Sequence, residues 1–145
     1  MPYVCPICAI DPESHSLKFL FEKENVLYYY THPAKAKLYF DQDGIINHYN
    51  GVLSEIPKDK EWIWIFNGKD FGLTHIAEIQ LAKNLAKLLL TKFSDNLKNI
   101  FIINTNFYVS AIYNIIIPFI NKKFNSKVEF IEEQMILNSE DLNIL

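Results

Sequence analysis

The chain has 145 residues, a formal net charge of −3 and an apolar fraction of 50%, which predicts one folded domain and argues against intrinsic disorder. All 14 of its basic residues are lysines. Sequence-specific binding of duplex DNA usually depends on arginine, whose guanidinium forms paired hydrogen bonds with guanine and phosphate, so the absence of arginine argues against that function. No apolar run reaches the roughly 20 residues that cross a bilayer, and Met1–Ile10 lacks the basic start of a secretory signal. We therefore expect an intracellular, cytoplasmic protein without a transmembrane segment.

The first motif in chain order is Cys-Pro-Ile-Cys at residues 5–8, which contains both cysteines of the chain. Two thiols at this spacing can bind one Zn²⁺ ion, which requires two more nitrogen or sulfur ligands to complete a tetrahedron. His15 and His32 are the candidates for those two positions. Three further residues are spare donors: His48, Asp11 and Glu13. The motif therefore predicts a structural zinc site formed by Cys5, Cys8, His15 and His32.

Three other interpretations of the cysteine pair remain open. The pair can be free and reduced, with ordinary surface histidines nearby. A thioredoxin-like redox centre requires the pair at a strand-to-helix turn, whereas here it precedes every predicted strand. A nucleophilic cysteine requires a paired histidine and a group that orients it; Cys5 or Cys8 can be paired with His15, but no motif supports that arrangement. We therefore expect no enzymatic activity.

The next elements form the first half of an α/β pattern. A strand is predicted at residues 25–31, which are rich in β-forming residues. Pro33 suits the first position of a helix, which predicts a helix over residues 34–40. Asp41 is a typical N-cap residue, and helical spacing of apolar residues predicts a second helix over about residues 44–55. The apolar run at residues 62–66 indicates a central strand covered on both faces.

The second half of the sequence repeats the alternation of strands and helices. An apolar stripe opposite a polar face predicts a long helix over residues 75–93, capped by Thr74. The short apolar run at residues 100–103 predicts a strand, and residues 107–121 form an almost wholly apolar helix that a proline kinks or ends. Residues 128–131 predict the last strand.

This order of strands and helices is typical of successive βαβ crossovers, which produce a parallel sheet with helices packed on it. The predicted fold class is therefore α/β, with a mainly parallel sheet and flanking helices. We expect a single domain over residues 1–145. It consists of a Cys/His segment at residues 1–24, a core at residues 25–131 and an acidic tail at residues 132–145.

Five segments carry a resemblance to a known family: WIFNGKDFG at 64–72, FSDNL at 93–97, IIN at 102–104, IPFI at 117–120 and KVEF at 127–130. In this order and spacing they resemble the CRAL-TRIO (Sec14-like) lipid-binding domain, over roughly residues 25–131. The helical N-terminal lobe typical of that family is missing, and the short Cys/His segment stands in its place. That segment itself resembles the zinc knuckle of small zinc-binding modules.

The resemblance implies non-enzymatic binding of a lipid or another hydrophobic small molecule. Lys69 and Asp70 lie in a turn that follows a strand and precedes a helix, where α/β folds often bind ligands, and they are candidates to contact a head group. Tyr108, Ile112 and Ile116 lie on the apolar helix and are candidates to line a lipid pocket. The alternatives are a solvated turn and a helix that is simply buried in the core.

A second function class is compatible with the same fold. Without a cavity, the domain would be a structural or protein-interaction module that docks through its apolar helix or through the tyrosine cluster at residues 28–30. Its partner would be another protein or a second copy of this chain. Compact proteins of this kind also resemble forms carried by large DNA viruses, which predicts a viral protein and a viral assembly as the setting.

Overall fold

Five strands form one sheet in the computed structural model, which describes residues 3–131. Their order across the sheet is β1-β2-β3-β4-β5. The strands are β1 (Lys18–Lys23), β2 (Val26–Thr31), β3 (Glu61–Asn67), β4 (Leu97–Ile103) and β5 (Val128–Phe130). β1 is antiparallel to β2, and the other three pairs are parallel. The predicted α/β class with a mainly parallel sheet is confirmed. The acidic tail at residues 132–145 lies outside the described residues.

Helices precede the sheet and connect its parallel strands. They are α1 (Pro6–Ile10), α2 (Gln42–Leu53), α3 (Leu73–Ile76), α4 (Ile79–Leu88), α5 (Phe107–Ile116) and α6 (Lys122–Asn125). Short 3₁₀ turns occupy Pro33–Lys35 and Ile117–Phe119, and a π-helical turn occupies Leu89–Phe93. α5 ends just before Pro118 rather than at residue 121, because the proline, which is predicted to kink or end the helix, cannot donate the backbone bond that would continue it.

Strand β1 has no counterpart among the predicted elements. Its hairpin with β2 turns through Glu24 and Asn25, whose φ angles are 53° and 67°. Tight hairpins place both central residues in this left-handed region, and the usual signal is Asn-Gly or Asp-Gly. Because Glu24 is an unusual residue for that position, the sequence does not show the hairpin.

The helix predicted over residues 34–40 is wrong beyond its first turn. The Lys37 amide donates to the Glu13 carbonyl at 2.9 Å, and the Leu38 amide donates to the Ser14 carbonyl at 3.0 Å. An amide used in this way cannot donate to the carbonyl four residues before it, so the helix stops. The same bonds attach the N-terminal segment to the loop that precedes α2.

The long helix predicted over residues 75–93 is interrupted. It begins earlier than predicted, with Gly72 as its N-cap, and α3 ends before Ala77. The Gly72 amide donates to Nδ1 of His75 at 3.0 Å, which fixes this short first turn. The last turn is π-helical, and there the Phe93 carbonyl accepts a bond from Nε1 of Trp62 at 3.0 Å.

Two apolar clusters lie on opposite faces of the sheet. Alternation along β3 sends Trp62 into the larger cluster and Ile63 and Ile65 into the smaller one. The larger cluster also contains side chains of α2, α4 and α5, so these helices cover that face. Trp62 and Ile65 are fully buried, and burial of such a side chain contributes roughly 1.5–3 kcal/mol.

Candidate functional site

The two cysteines lie at the start of α1 and face the same side. Cys5 is the N-cap of α1, and its Sγ accepts a bond from the Cys8 amide at 3.5 Å. A proline at the first helical position suits this start because it has no amide hydrogen to satisfy. Cys5 is buried and Cys8 is half-buried, and neither forms a disulfide. The turn therefore presents two thiols to one point.

His15 and His48 complete a cluster of four side chains that could hold a metal ion, and their ligand atoms all lie within 4.8 Å of one another. Nδ1 of His15 lies 3.6 Å from Sγ of Cys5 and 3.5 Å from Sγ of Cys8, and Nδ1 of His48 lies 3.8 Å from Sγ of Cys8. With Zn–S near 2.3 Å and Zn–N near 2.0 Å, a tetrahedron places sulfur and nitrogen about 3.5 Å apart. The spacing therefore fits a zinc ion, and the group can hold a metal.

Hydrogen bonds fix both imidazoles in the form that metal binding requires. Nε2 of His48 donates to the Leu17 carbonyl at 2.7 Å, and Nε2 of His15 donates to Oδ2 of Asp41 at 3.2 Å. A neutral imidazole that carries its proton on Nε2 has a lone pair on Nδ1. Both lone pairs therefore point toward the sulfur atoms, and the Asp41–His15 pair matches the carboxylate–histidine arrangement common around zinc.

Burial changes the pKa values of two members of the cluster. It raises the pKa of the Cys8 thiol to about 11, and it lowers the pKa of His48. At neutral pH the imidazole of His48 is thus ready to bind a metal, whereas the Cys8 thiol must release a proton. Metal binding at this site is therefore expected to release protons and to weaken in acid.

The structure does not bring His32 to this cluster. Nε2 of His32 donates to the Lys69 carbonyl at 3.1 Å, and Nδ1 of His32 lies 3.2 Å from the Tyr30 hydroxyl and 3.4 Å from Nδ2 of Asn67. His32 thus belongs to a polar network at the carboxyl ends of β2 and β3. His48, a spare donor in the sequence prediction, takes the fourth position. The signal for His48 is its place between Ile45 and Tyr49 on the buried face of α2.

A cavity of about 190 Å³ lies between the sheet and the helices that cover it. Most of its wall is aliphatic or aromatic, and representative lining residues are Ile45, Trp64, Phe66, Leu81, Ile112 and Ile116. Three polar groups in the wall bond to one another: the Thr31 hydroxyl lies 3.0 Å from the Tyr49 hydroxyl and accepts from Nε1 of Trp64 at 3.0 Å. The group that fits inside is therefore apolar.

The residues predicted to contact a ligand are divided between the cavity and the surface. Ile112 and Ile116 line the cavity, and Tyr108 is half-buried against the core beside it. Lys69 and Asp70 are exposed and lie outside the described lining. They form a tight turn in which the Lys69 amide donates to Oδ1 of Asn67 at 3.0 Å and Asp70 has a φ of 62°.

Comparison with known proteins agrees with the fold. The family model described as "CRAL/TRIO domain" matches residues 5–141. A search of curated proteins found no match. Among solved structures, "Crystal structure of Sfh5" is similar with a TM-score of 0.64 at 12% identity, over 84% of this chain and 53% of that one. The chain thus spans about half the length of that relative, and the likeness concerns the fold alone. Within residues 3–131, no helix has the length and apolar character needed to cross a bilayer.

Proposed function

Because the chain belongs to the CRAL/TRIO domain family, we propose that it binds a lipid or another hydrophobic small molecule and does not transform it chemically. The observation that carries this proposal is the apolar cavity between the sheet and α2, α4 and α5. This cavity lies beside the apolar helix that includes Ile112 and Ile116. It favours ligand binding over a module whose core is filled.

The size of the cavity restricts what enters it. Its volume of about 190 Å³ is below the range of roughly 300–1,000 Å³ that is usual for ligand pockets. It exceeds a cavity of about 150 Å³ that holds benzene. The ligand therefore inserts a ring or a short acyl segment, and the rest of the molecule stays outside or separates the helices from the sheet.

The second part of the proposal is a structural zinc ion held by Cys5, Cys8, His15 and His48. Four protein ligands close a tetrahedron and leave no position for a substrate, which is typical of structural zinc. The ion ties the N-terminal segment to α2. Metal analysis of the purified protein by X-ray fluorescence should give one zinc per chain, and a metal-free protein as stable as the zinc-loaded one would contradict this role.

Free thiols also support an intracellular location. Cys5 and Cys8 are both unpaired, although a tight turn holds them close together. Cysteine pairs that serve as metal ligands rather than disulfides are typical of reducing compartments.

Native mass spectrometry of the protein with bound lipids tests the ligand function. Ile116→Trp should fill part of the cavity and abolish the bound apolar species, because the indole would occupy the space of the ligand. Asn114→Trp is the matched control, since Asn114 is exposed on the same helix. A wild-type protein that carries no lipid and takes none up from vesicles would overturn the proposal.

Protein interaction is a second candidate function, which a specific surface feature favours. Leu73 is 71% exposed on α3 and Phe107 is 76% exposed on α5, and these two helices pack against each other. Large apolar side chains exposed together often mark an interface. Sedimentation of the wild-type protein and of Leu73→Asp would show whether this surface joins two copies of the chain.

A further inference from the structure

We propose that the metal centre and the cavity are coupled, so that zinc binding raises the affinity of the cavity for its apolar ligand. This inference rests on the proposed function, because it requires both sites to be occupied. The two sites are adjacent and share a side chain. Coupling of this kind is reciprocal, and the ligand must strengthen zinc binding by the same factor.

His15 is the shared side chain. One edge of its imidazole presents Nδ1 to the sulfur atoms of Cys5 and Cys8, at 3.6 and 3.5 Å. The same residue lines the cavity, and its side chain is completely buried. A metal ion that holds Nδ1 therefore also fixes part of the cavity wall.

Helix α2 provides a second connection. It carries the metal donor His48, and Ile45 and Tyr49 of the same helix line the cavity. Asp41 caps the helix by accepting from the Gly44 amide at 3.3 Å, and its other oxygen accepts from Nε2 of His15. A metal ion bound by His15 and His48 thus restrains the start and the middle of this helix together.

The direction of the coupling follows from preorganisation. With the metal bound, the wall residues are already held in place when the ligand enters. Without it, the bonds of His15 to Asp41 and of His48 to Leu17 remain, and ligand binding must order the rest of the wall at a cost in free energy. Couplings between sites typically change affinity by about 5–150-fold. We expect a change of at least about fivefold.

The direct test titrates the neutral fluorescent probe N-phenyl-1-naphthylamine into zinc-loaded protein and into protein stripped by a chelator. The expected result is a Kd at least about fivefold lower for the zinc-loaded form. Equal affinities, or tighter binding to the stripped form, overturn the coupling and leave the proposed function intact. If the zinc-loaded protein does not bind the probe at all, the coupling and the proposed ligand function are both overturned.

The reciprocal test remains informative if the stripped protein unfolds. Zinc is withdrawn from the loaded protein by a competing chelator, with and without a saturating concentration of the same probe. The probe should lower the fraction of zinc lost at equilibrium. In Ile116→Trp, whose indole blocks the cavity far along the chain from the metal donors, the zinc loss should no longer depend on the probe. Equal zinc loss from the wild type with and without the probe overturns the coupling.

Discussion

His15 and His48 use their two ring nitrogens for different purposes. In each residue Nε2 donates to an oxygen of the protein, and Nδ1 faces the thiols. His32 has no nitrogen left for a metal, because Nε2 donates to the Lys69 carbonyl and Nδ1 faces the Tyr30 hydroxyl. The hydrogen-bond partners of each ring, rather than the number of histidines, therefore decide which of them can bind an ion.

The first prediction at the residue scale distinguishes His48 from His32 as the fourth metal ligand. His48→Gln should lower zinc affinity by more than the roughly 10–100-fold that loss of a supporting residue causes, because it removes a ligand itself. His32→Gln is the control and should leave zinc affinity unchanged. Competition with a chromophoric chelator measures both. Loss of zinc in His32→Gln with retention in His48→Gln would show that the fourth ligand is His32.

A second prediction concerns pH. Burial lowers the pKa values of His32 and His75, whereas an unfolded histidine has a pKa of about 6.5. The unfolded chain therefore binds more protons near and below that pH, and the stability of the folded state falls as pH falls through 6.5. Urea unfolding at pH 7.5 and 5.5 should show a smaller loss for His32→Gln than for the wild type. An equal loss in both proteins would exclude a contribution of His32.

At the element scale, the periodicity of apolar residues predicts a helix or strand correctly when contacts close in sequence determine that element. Apolar runs predict β3, β4 and α5, and the structure contains each of them, although β4 begins earlier and α5 ends earlier than predicted. The 34–40 helix fails because Glu13 and Ser14 accept the amides that it needs. Those acceptors lie more than twenty residues away, and only the folded chain brings them there.

The same reasoning applies to the candidate site. Cys5, Cys8 and His15 are close in sequence, and spacing alone brings them together as donors. The choice between His32 and His48 depends on how β2 and α2 pack, which spacing does not reveal. Ile112 and Ile116 were predicted from an apolar helix, and its packing on the sheet places both beside the cavity.

The prediction at this scale concerns the close contact between α5 and the turn that joins β3 to α3. A Cβ added at Gly68 would lie 2.7 Å from Cγ2 of Val109 and 3.1 Å from the Asn104 carbonyl oxygen. Gly68→Ala should therefore destabilise the protein by about 1–3 kcal/mol, as overpacking of a dense core does. Gly72→Ala is the control, because its nearest neighbour would be 3.8 Å away, and we expect only the smaller loss of about 0.5 kcal/mol that alanine causes at an N-cap. Urea denaturation measures both, and equal midpoints would contradict the expected clash.

At the scale of the whole molecule, the four side chains of the Cys/His cluster come from distant parts of the chain. Cys5 and Cys8 lie at the N-terminal end, whereas His48 lies in α2, which packs on the sheet. The ring of Tyr3 lies against Gly51 and near His48, and so extends this attachment along the helix. An ion at the cluster would therefore bind the folded chain far better than the unfolded one.

The prediction that follows is a stability that depends on free zinc. An ion that binds the folded state alone contributes about 2.7 kcal/mol at a hundred times its Kd. The Tm measured by calorimetry should rise with buffered free zinc, and it should fall when a chelator is added. Cys8→Ser, which removes one donor, should show a low Tm that zinc does not change. A Tm of the wild type that is independent of zinc would mean that the cluster binds no ion in the folded protein.

The order of the strands has a consequence for where any ligand binds. Along the sheet the order never reverses, and because parallel crossovers are nearly always right-handed, successive helices fall on the same face. Doubly wound folds bind ligands at a topological switch point, where the order reverses and the helices on either side diverge to open a crevice. This sheet has no such point among its described strands, so the turn that contains Lys69 and Asp70 opens onto solvent rather than a crevice. The space for a guest molecule lies within the single layer of helices and the sheet beneath it.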